Sequence, residues 1–214
     1  MYKIKINGKL YKSIDEYCNK NNDHIVDFNQ PVEILENVIN CSGMFSDCYS
    51  FNQPVIIPEG VKDCSDMFYY CEEFNQPVKI PYGVEDCTDM FSNCTLFNKP
   101  VIIPNSVKYC SGMFFCCNSF NQPIKIPDSV KNFTDMFYAC KSFDKSITVN
   151  FNNLYLFENE VTITNKTFNN LKINTKILKE CSFNKTIKIK PNSNITIKCS
   201  DKEFAEISLL RTLD

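Results

Sequence analysis

Residues 120–140 read FNQPIKIPDSVKNFTDMFYAC, and nearly the same text stands at every earlier step of 23 residues. Phe28, Phe51, Phe74, Phe97, Phe120 and Phe143 open successive copies without an insertion or deletion between them. The shared phrase is FNQPV-x-IP-x-x-V-x-x-C-[ST]-[DG]-MF-x-x-C-x-x. A period in the twenties predicts a solenoid, because one such unit cannot bury its own apolar face and must stack on the next. A coil stack builds surface more readily than a closed catalytic pocket.

Within the quoted stretch, the alternation Ile124-Lys125-Ile126 predicts a short strand with Lys125 outward. Pro127 removes an amide donor and ends the pairing, and Asp128-Ser129 make a turn. Val130 and Phe133 then return to the core. Thr134 stands where an N-cap would open one helical turn over Asp135-Met136-Phe137, with Ser42, Ser65, Thr88 and Ser111 at the equivalent sites. Asn29, Asn52, Asn75, Asn98 and Asn121, followed by Asp144, form a polar column whose side-chain amides are expected to bond from coil to coil.

Ten of the thirteen cysteines fall into two 23-residue series. Cys18, Cys41, Cys64, Cys87 and Cys110 make one; Cys48, Cys71, Cys94, Cys117 and Cys140 make the other; Cys116, Cys181 and Cys199 stand outside both. A disulfide framework pairs distinct positions, whereas these are one core position repeated. Equivalent Cβ atoms in stacked coils lie ~4.8 Å apart, against ~3.8 Å in a relaxed disulfide. Buried free thiols are the favoured reading, ahead of disulfides and of a metal site. The single histidine, His24, and the lack of a CxxC pair give zinc little support.

The chain divides into three. Residues 1–27 are an N-terminal cap: Tyr2, Ile4 and Ile6 alternate before an Asn7-Gly8 turn, and Ser13-x-x-Glu16 is a capping box for a helix to about Asn19. Residues 28–143 carry five 23-residue repeats. Residues 144–214 lose the period and give strand-like runs at Ile147–Val149, Val161–Ile163, Leu171–Ile173, Ile187–Ile189 and Ile195–Lys198. They read as a β-rich continuation with irregular coils. A second capping box, Ser200-x-x-Glu203, predicts a final capping helix through Phe204, Ile207 and Leu210. The expected class is mainly β with short helical turns.

A formal charge of −2 gives no reason to expect nucleic acid or an anionic membrane as partner. No run of 18 apolar residues and no apolar leader is present, so the expectation is a protein that is cytoplasmic in the producing cell or associated with a virion. No ordered Ser/His/Asp set, phosphate-binding glycine loop or metal constellation marks an enzyme, and no cofactor is expected.

Function must then lie in the columns that vary. The residue between the two apolar strand positions reads Glu33, Ile56, Lys79, Ile102, Lys125, a mixed outward stripe. The column after Met-Phe contains Tyr69, Phe115 and Tyr138, with Tyr70 beside it. Tyr69, Tyr70, Phe115 and Tyr138 form the candidate aromatic contact patch, since rigidly held aromatics are efficient anchors for protein or sugar. The competing reading is that some of them pack beneath the C-terminal segment or against each other.

The IPDSV of residues 126–130, followed by FYAC at 137–140, resembles the BspA-like (treponemal-type) leucine-rich repeats, with Phe in place of the leading Leu. The MF-xx-C-xx-FNQP phrase is similar to a second, related family of bacterial surface-protein repeats of unknown function, so the chain resembles a hybrid of the two. The resemblance covers about residues 28–143 and departs from the first family in lacking the Gly after the second strand. It implies a leucine-rich-repeat solenoid used for adhesion or protein recognition, without catalytic residues. Repeats of this style also occur in bacteriophage proteins. Two functional expectations result: a recognition module for a protein or glycan, or a structural subunit of a larger assembly such as a phage virion or fibre, joined to itself or to other virion proteins.

Overall fold

The computed structural model describes residues 3–127, 129–133 and 135–143 throughout, and beyond them the backbone of separate strands up to residue 210. The cap begins with two antiparallel strands, β1 (Ile4–Ile6) and β2 (Lys9–Tyr11). Asn7 and Gly8, at φ of 49° and 80°, supply the left-handed turn between them. Helix α1 (Ile14–Asn21) follows, and Ser13 Oγ accepts a bond from Glu16 N at 3.1 Å. The Glu16 carboxylate accepts from Lys12 N, one residue before the cap, so the box closes one position early. Ile14, Tyr17 and Cys18 are buried, and the Tyr17 ring meets Phe28 edge-on at 5.6 Å. The cap thereby seats its apolar side on the first coil.

From Phe28 to Phe143 the coils lie one over another at a 23-residue offset. Phe51, Phe74, Phe97, Phe120 and Phe143 are fully buried, and their successive rings stack at 6.0, 6.0, 6.1 and 5.8 Å with planes within 6° of parallel. The Met-Phe phenylalanines Phe45, Phe68, Phe91 and Phe114 make a second fully buried column. Each packs most closely against the ring that opens the following copy, as Phe68 does on Phe74 at 4.2 Å. Two interlocked aromatic files thus run along the core, with the valines and isoleucines of the V-x-I segment closing one side.

Several sequence expectations are corrected. The residue after the Ser/Thr column does not enter a helix: Gly43, Asp66, Asp89, Gly112 and Asp135 all have φ between 51° and 60°. Four residues on, Asp47, Tyr70, Asn93, Cys116 and Ala139 are left-handed again. The Gly/Asp alternation in the sequence therefore answers a backbone requirement, since these residue types enter the left-handed region at lower cost. Between the two left-handed points, i→i+3 turn bonds alternate with bonds to the next coil. Met67 N donates to Cys64 O while Phe68 N donates to Met90 O, and Tyr69 N to Asp66 O while Tyr70 N donates to Ser92 O. Single parallel bridges link Asn40, Asp63, Asp86, Tyr109 and Asn132.

The V-x-I segment was expected to be a strand in each coil. It is one only in the first coil, β3 (Glu33–Ile34), and in the fifth, β4 (Ile124–Ile126). In the coils between, Pro54 and Pro58 and their repeats bracket three residues and remove two amide donors per coil. Strand β3 is followed by Leu35 where the later coils have proline, and it pairs with β1. Strand β4 pairs in parallel with β5 (Ser146–Asn150), which has no proline. The asparagine column also differs in detail. Asn29, Asn52, Asn75 and Asn98 each accept, through Oδ1, the main-chain N–H of the next asparagine at 2.9–3.0 Å. The amide donors come from Gln53, Gln76 and Gln122.

Beyond the coils lie β6 (Glu160–Asn165), β7 (Leu171–Lys176), β8 (Asn184–Ile189), β9 (Ser193–Ser200) and β10 (Phe204–Leu210). Pairing is parallel for β5 with β7 but antiparallel for β7 with β8, β6 with β9 and β9 with β10. Consecutive strands pair in β7–β8 and β9–β10, β6–β9 joins non-consecutive strands, and none of the three pairs has the parallel offset of the coils. The expected final helix is replaced by β10, set with Ile207 opposite Ile197 and Leu209 opposite Ile195. A two-residue apolar period facing a like strand outweighs a local capping signal. Ser200, which opens that capping box, ends β9, and 201–203 lie outside the described residues, as do Asp128, Thr134 and Asp144.

Candidate recognition surface

The cysteine columns form the inner wall behind the turn face. Cys41, Cys48, Cys64, Cys71, Cys87, Cys94, Cys110, Cys117 and Cys140 are free and buried. The second column bonds across coils: Cys71, Cys94, Cys117 and Cys140 donate Sγ–H to the main-chain carbonyls of Phe45, Phe68, Phe91 and Phe114 at 2.8–3.0 Å. Burial pushes the Cys41 thiol up to about 11 and Cys110 up to about 12, and drives Cys71, Cys87, Cys94 and Cys117 well above the usual thiol range. These thiols are small apolar donors, far from thiolate chemistry. Cys116 alone among the described cysteines is partly exposed, and burial raises its thiol as well.

On the turn face the Met-Phe side chains turn inward, and the next residue is partly or wholly exposed at Ser46, Tyr69, Phe115 and Tyr138. The four aromatic candidates fall into two groups. Tyr69 and Tyr70 meet edge-on at 4.7 Å, and Phe115 stacks on Tyr138 at 4.6 Å with planes 11° apart. Ser92, the residue between them in the column, is buried and holds the groups one coil apart. The left-handed backbone at Tyr70 brings its ring within 6.0 Å of Tyr49, an exposed tyrosine of the preceding coil. Sequence reasoning missed Tyr49 because the contact depends on that φ of 58°. Tyr82 and Tyr109 are also exposed and were not singled out.

An Asx column lies on the bend leading into this face. Asp63 and Asp86 accept the main-chain N–H two residues on, from Ser65 and Thr88, and Asn40 donates to Asp63 at 2.9 Å. Burial raises the Asp66 and Asp89 carboxyls, with Asp63 and Asp86 adding to the first and Asp66 and Asp86 to the second. Among the described residues no group of three or more His, Cys, Asp or Glu side chains is arranged to hold a metal ion.

The stripe Glu33, Ile56, Lys79, Ile102, Lys125 is outward in every coil, with Ile56 85% and Ile102 83% exposed. Beside it runs a second outward column, Pro31, Pro54, Pro77, Pro100 and Pro123. Lys79 pairs with Glu59 at 2.8 Å and Glu33 with Lys5 at 2.9 Å. A cleft between the cap and the first coil, lined by Lys3, Lys12, Ser13 and Ser42 among others, has a volume of about 260 Å³. That is below the ~300–1,000 Å³ usual for a small-molecule site. Among the described residues no helix is long and apolar enough to cross a membrane.

Residues 17–102 and 81–181 each match the family described as Mycoplasma protein of unknown function, DUF285. No curated protein and no solved structure matches the chain.

Proposed function

The chain belongs to the DUF285 family, and from that premise we propose that it is a non-catalytic recognition module, a leucine-rich-repeat type solenoid related to the BspA-like surface repeats. Its partner is a protein or glycan. The observation that carries the reading is the pairing of surface aromatics on consecutive coils, Tyr49–Tyr70–Tyr69 and Phe115–Tyr138, over an inner wall of stacked phenylalanines. Such rings are held in place before binding, so little side-chain entropy is lost when a flat apolar or sugar face is laid on them. Glycan and extracellular-protein arrays, followed by titration of the best ligand, test this. Truncation of Phe115 and Tyr138 to alanine is expected to weaken that ligand about tenfold or more. Absence of any ligand, or unchanged affinity after truncation of both aromatic groups, would overturn the reading.

A second reading, a structural subunit of a larger assembly such as a virion or fibre, draws on a different observation. Ile56 and Ile102 are almost wholly in water on a face that the aromatic groups do not use.

A further inference from the structure

The order of residues in the outward stripe is self-complementary when reversed. Read along the stack it is Glu33, Ile56, Lys79, Ile102, Lys125. Laid against a second copy running the other way, Glu33 faces Lys125, Ile56 faces Ile102 and Lys79 faces itself. We propose that this face is an isologous dimer contact between two copies of the chain, with the two-fold axis lying in the contact plane and crossing the stripe at the third coil. The proposal deepens the second reading above by naming a second copy as the occupant, and it does not depend on the aromatic groups.

Three observations support it. First, charge selects the antiparallel arrangement. With the axis along the stack instead, Lys125 would face Lys125 and Glu33 would face Glu33, the second pair tempered by the bridge from Glu33 to Lys5 of its own protomer at 2.9 Å. The single like-charge meeting in the antiparallel arrangement, Lys79 on the axis, is neutralised within each protomer by Glu59 at 2.8 Å. Second, the coils keep register: parallel bridges join them at a constant 23-residue offset, so one outward stripe position recurs per coil over roughly 19 Å. Third, the face suits side-chain packing and not strand addition. Its proline column removes amide donors, while Ile56 and Ile102 present apolar surface at 85% and 83% exposure.

Sedimentation equilibrium of the full chain up to about 100 μM tests the contact. A reversible dimer is expected. Ile102→Asp, at a solvent-exposed position, should weaken it about thirtyfold or more, with far-UV circular dichroism and the melting temperature unchanged. Glu33→Lys and Lys125→Glu should each weaken the dimer, and the two together in one chain should restore it. That restoration belongs to the antiparallel arrangement alone, because a parallel stripe would exchange one like pair for another. A monomer at every concentration overturns the proposal, as does a dimer indifferent to the charge exchange. So does a dimer abolished by Phe115→Ala with Tyr138→Ala, an outcome that would leave the recognition reading standing.

Discussion

In each middle coil the residues from Cys64 to Phe74 and those from Pro77 to Pro81 hold their neighbours by different means. The first half is bonded through the main chain: alternate N–H groups go to the next coil, two left-handed residues set the turns, and buried thiols line the inside. The second half is flanked by prolines and rests on Val78 and Ile80 packed inward, with Lys79 in water. The bonded half fixes its main-chain course and its inward side chains, and varies in the column Ser46, Tyr69, Ser92, Phe115, Tyr138. The packed half fixes only its inward side chains, and its outward position has varied through Glu, Ile and Lys along one chain. A repeat built this way separates what holds it together from what it can present.

The largest test of that division is alkaline pH. Every buried thiol in the two cysteine columns has its ionisation pushed upward by burial, so the folded state keeps protons that the unfolded chain releases above ~8.5. The contribution of these thiols to stability is therefore expected to be flat below about pH 8 and to fall as pH rises. Each thiol should contribute about 1.4 kcal/mol per unit until its own folded value is reached. Urea unfolding at a series of pH values measures this, and Cys→Ala changes in the columns should flatten the slope. An alkali-indifferent midpoint in the unsubstituted protein would mean that the bonded half does not bury these groups.

Next comes the shared core. Phe91 is fully buried, with Phe97 at 4.4 Å, Phe68 at 5.6 Å and Phe114 at 5.7 Å. Phe91→Ala is expected to cost about 3–5 kcal/mol, read from denaturant unfolding, whereas Ile56→Ala on the outward stripe should stay within ~0.5 kcal/mol. Similar losses at the two sites would erase the contrast between inward and outward positions. Smaller is Gly112→Ala. Gly112 has φ of 60°, and a Cβ there would lie 2.1 Å from Asp89 Oδ1 of the preceding coil. The left-handed conformation alone costs a β-carbon about 1–2 kcal/mol, and the displaced carboxylate adds to it. A melting temperature unmoved by this change would contradict the turn geometry. A smaller loss than at Gly112 is expected from Pro100→Ala in the packed half, about 0.4–1 kcal/mol through a freer unfolded chain. A gain in stability would show that the restored N–H joins a coil-to-coil ladder, and the distinction between the halves would fail.

Much of the coil could be read from the text because its signals are local or strictly periodic. Asn7-Gly8 is a turn in any setting that allows a hairpin, and the columns of Phe and Cys identify themselves as inward by recurring unchanged. The errors arose where residue types serve more than one backbone. Ser or Thr followed by Asp suits a helix start and a left-handed turn alike, and only the destination of the next N–H separates them. Ile-x-Ile between prolines has a strand's side-chain pattern without a strand's donors. At 204–210 the capping box competed with a two-residue apolar alternation, and the neighbouring strand decided the matter. The aromatic candidates were legible as variable surface positions, but their division by Ser92 and the recruitment of Tyr49 were not, because both follow from φ at Tyr70 and from burial across coils.

What the sequence alone determined is which side chains share a column, since a 23-residue step without insertions leaves no other register for the repeated apolar positions. What only the tertiary structure decided is where each main-chain donor goes: to a turn within the coil, to the coil above, or to nothing because proline has removed it. Side-chain pattern reports burial, whereas hydrogen-bond partners depend on the angles at a few left-handed residues and on the coil lying next to them.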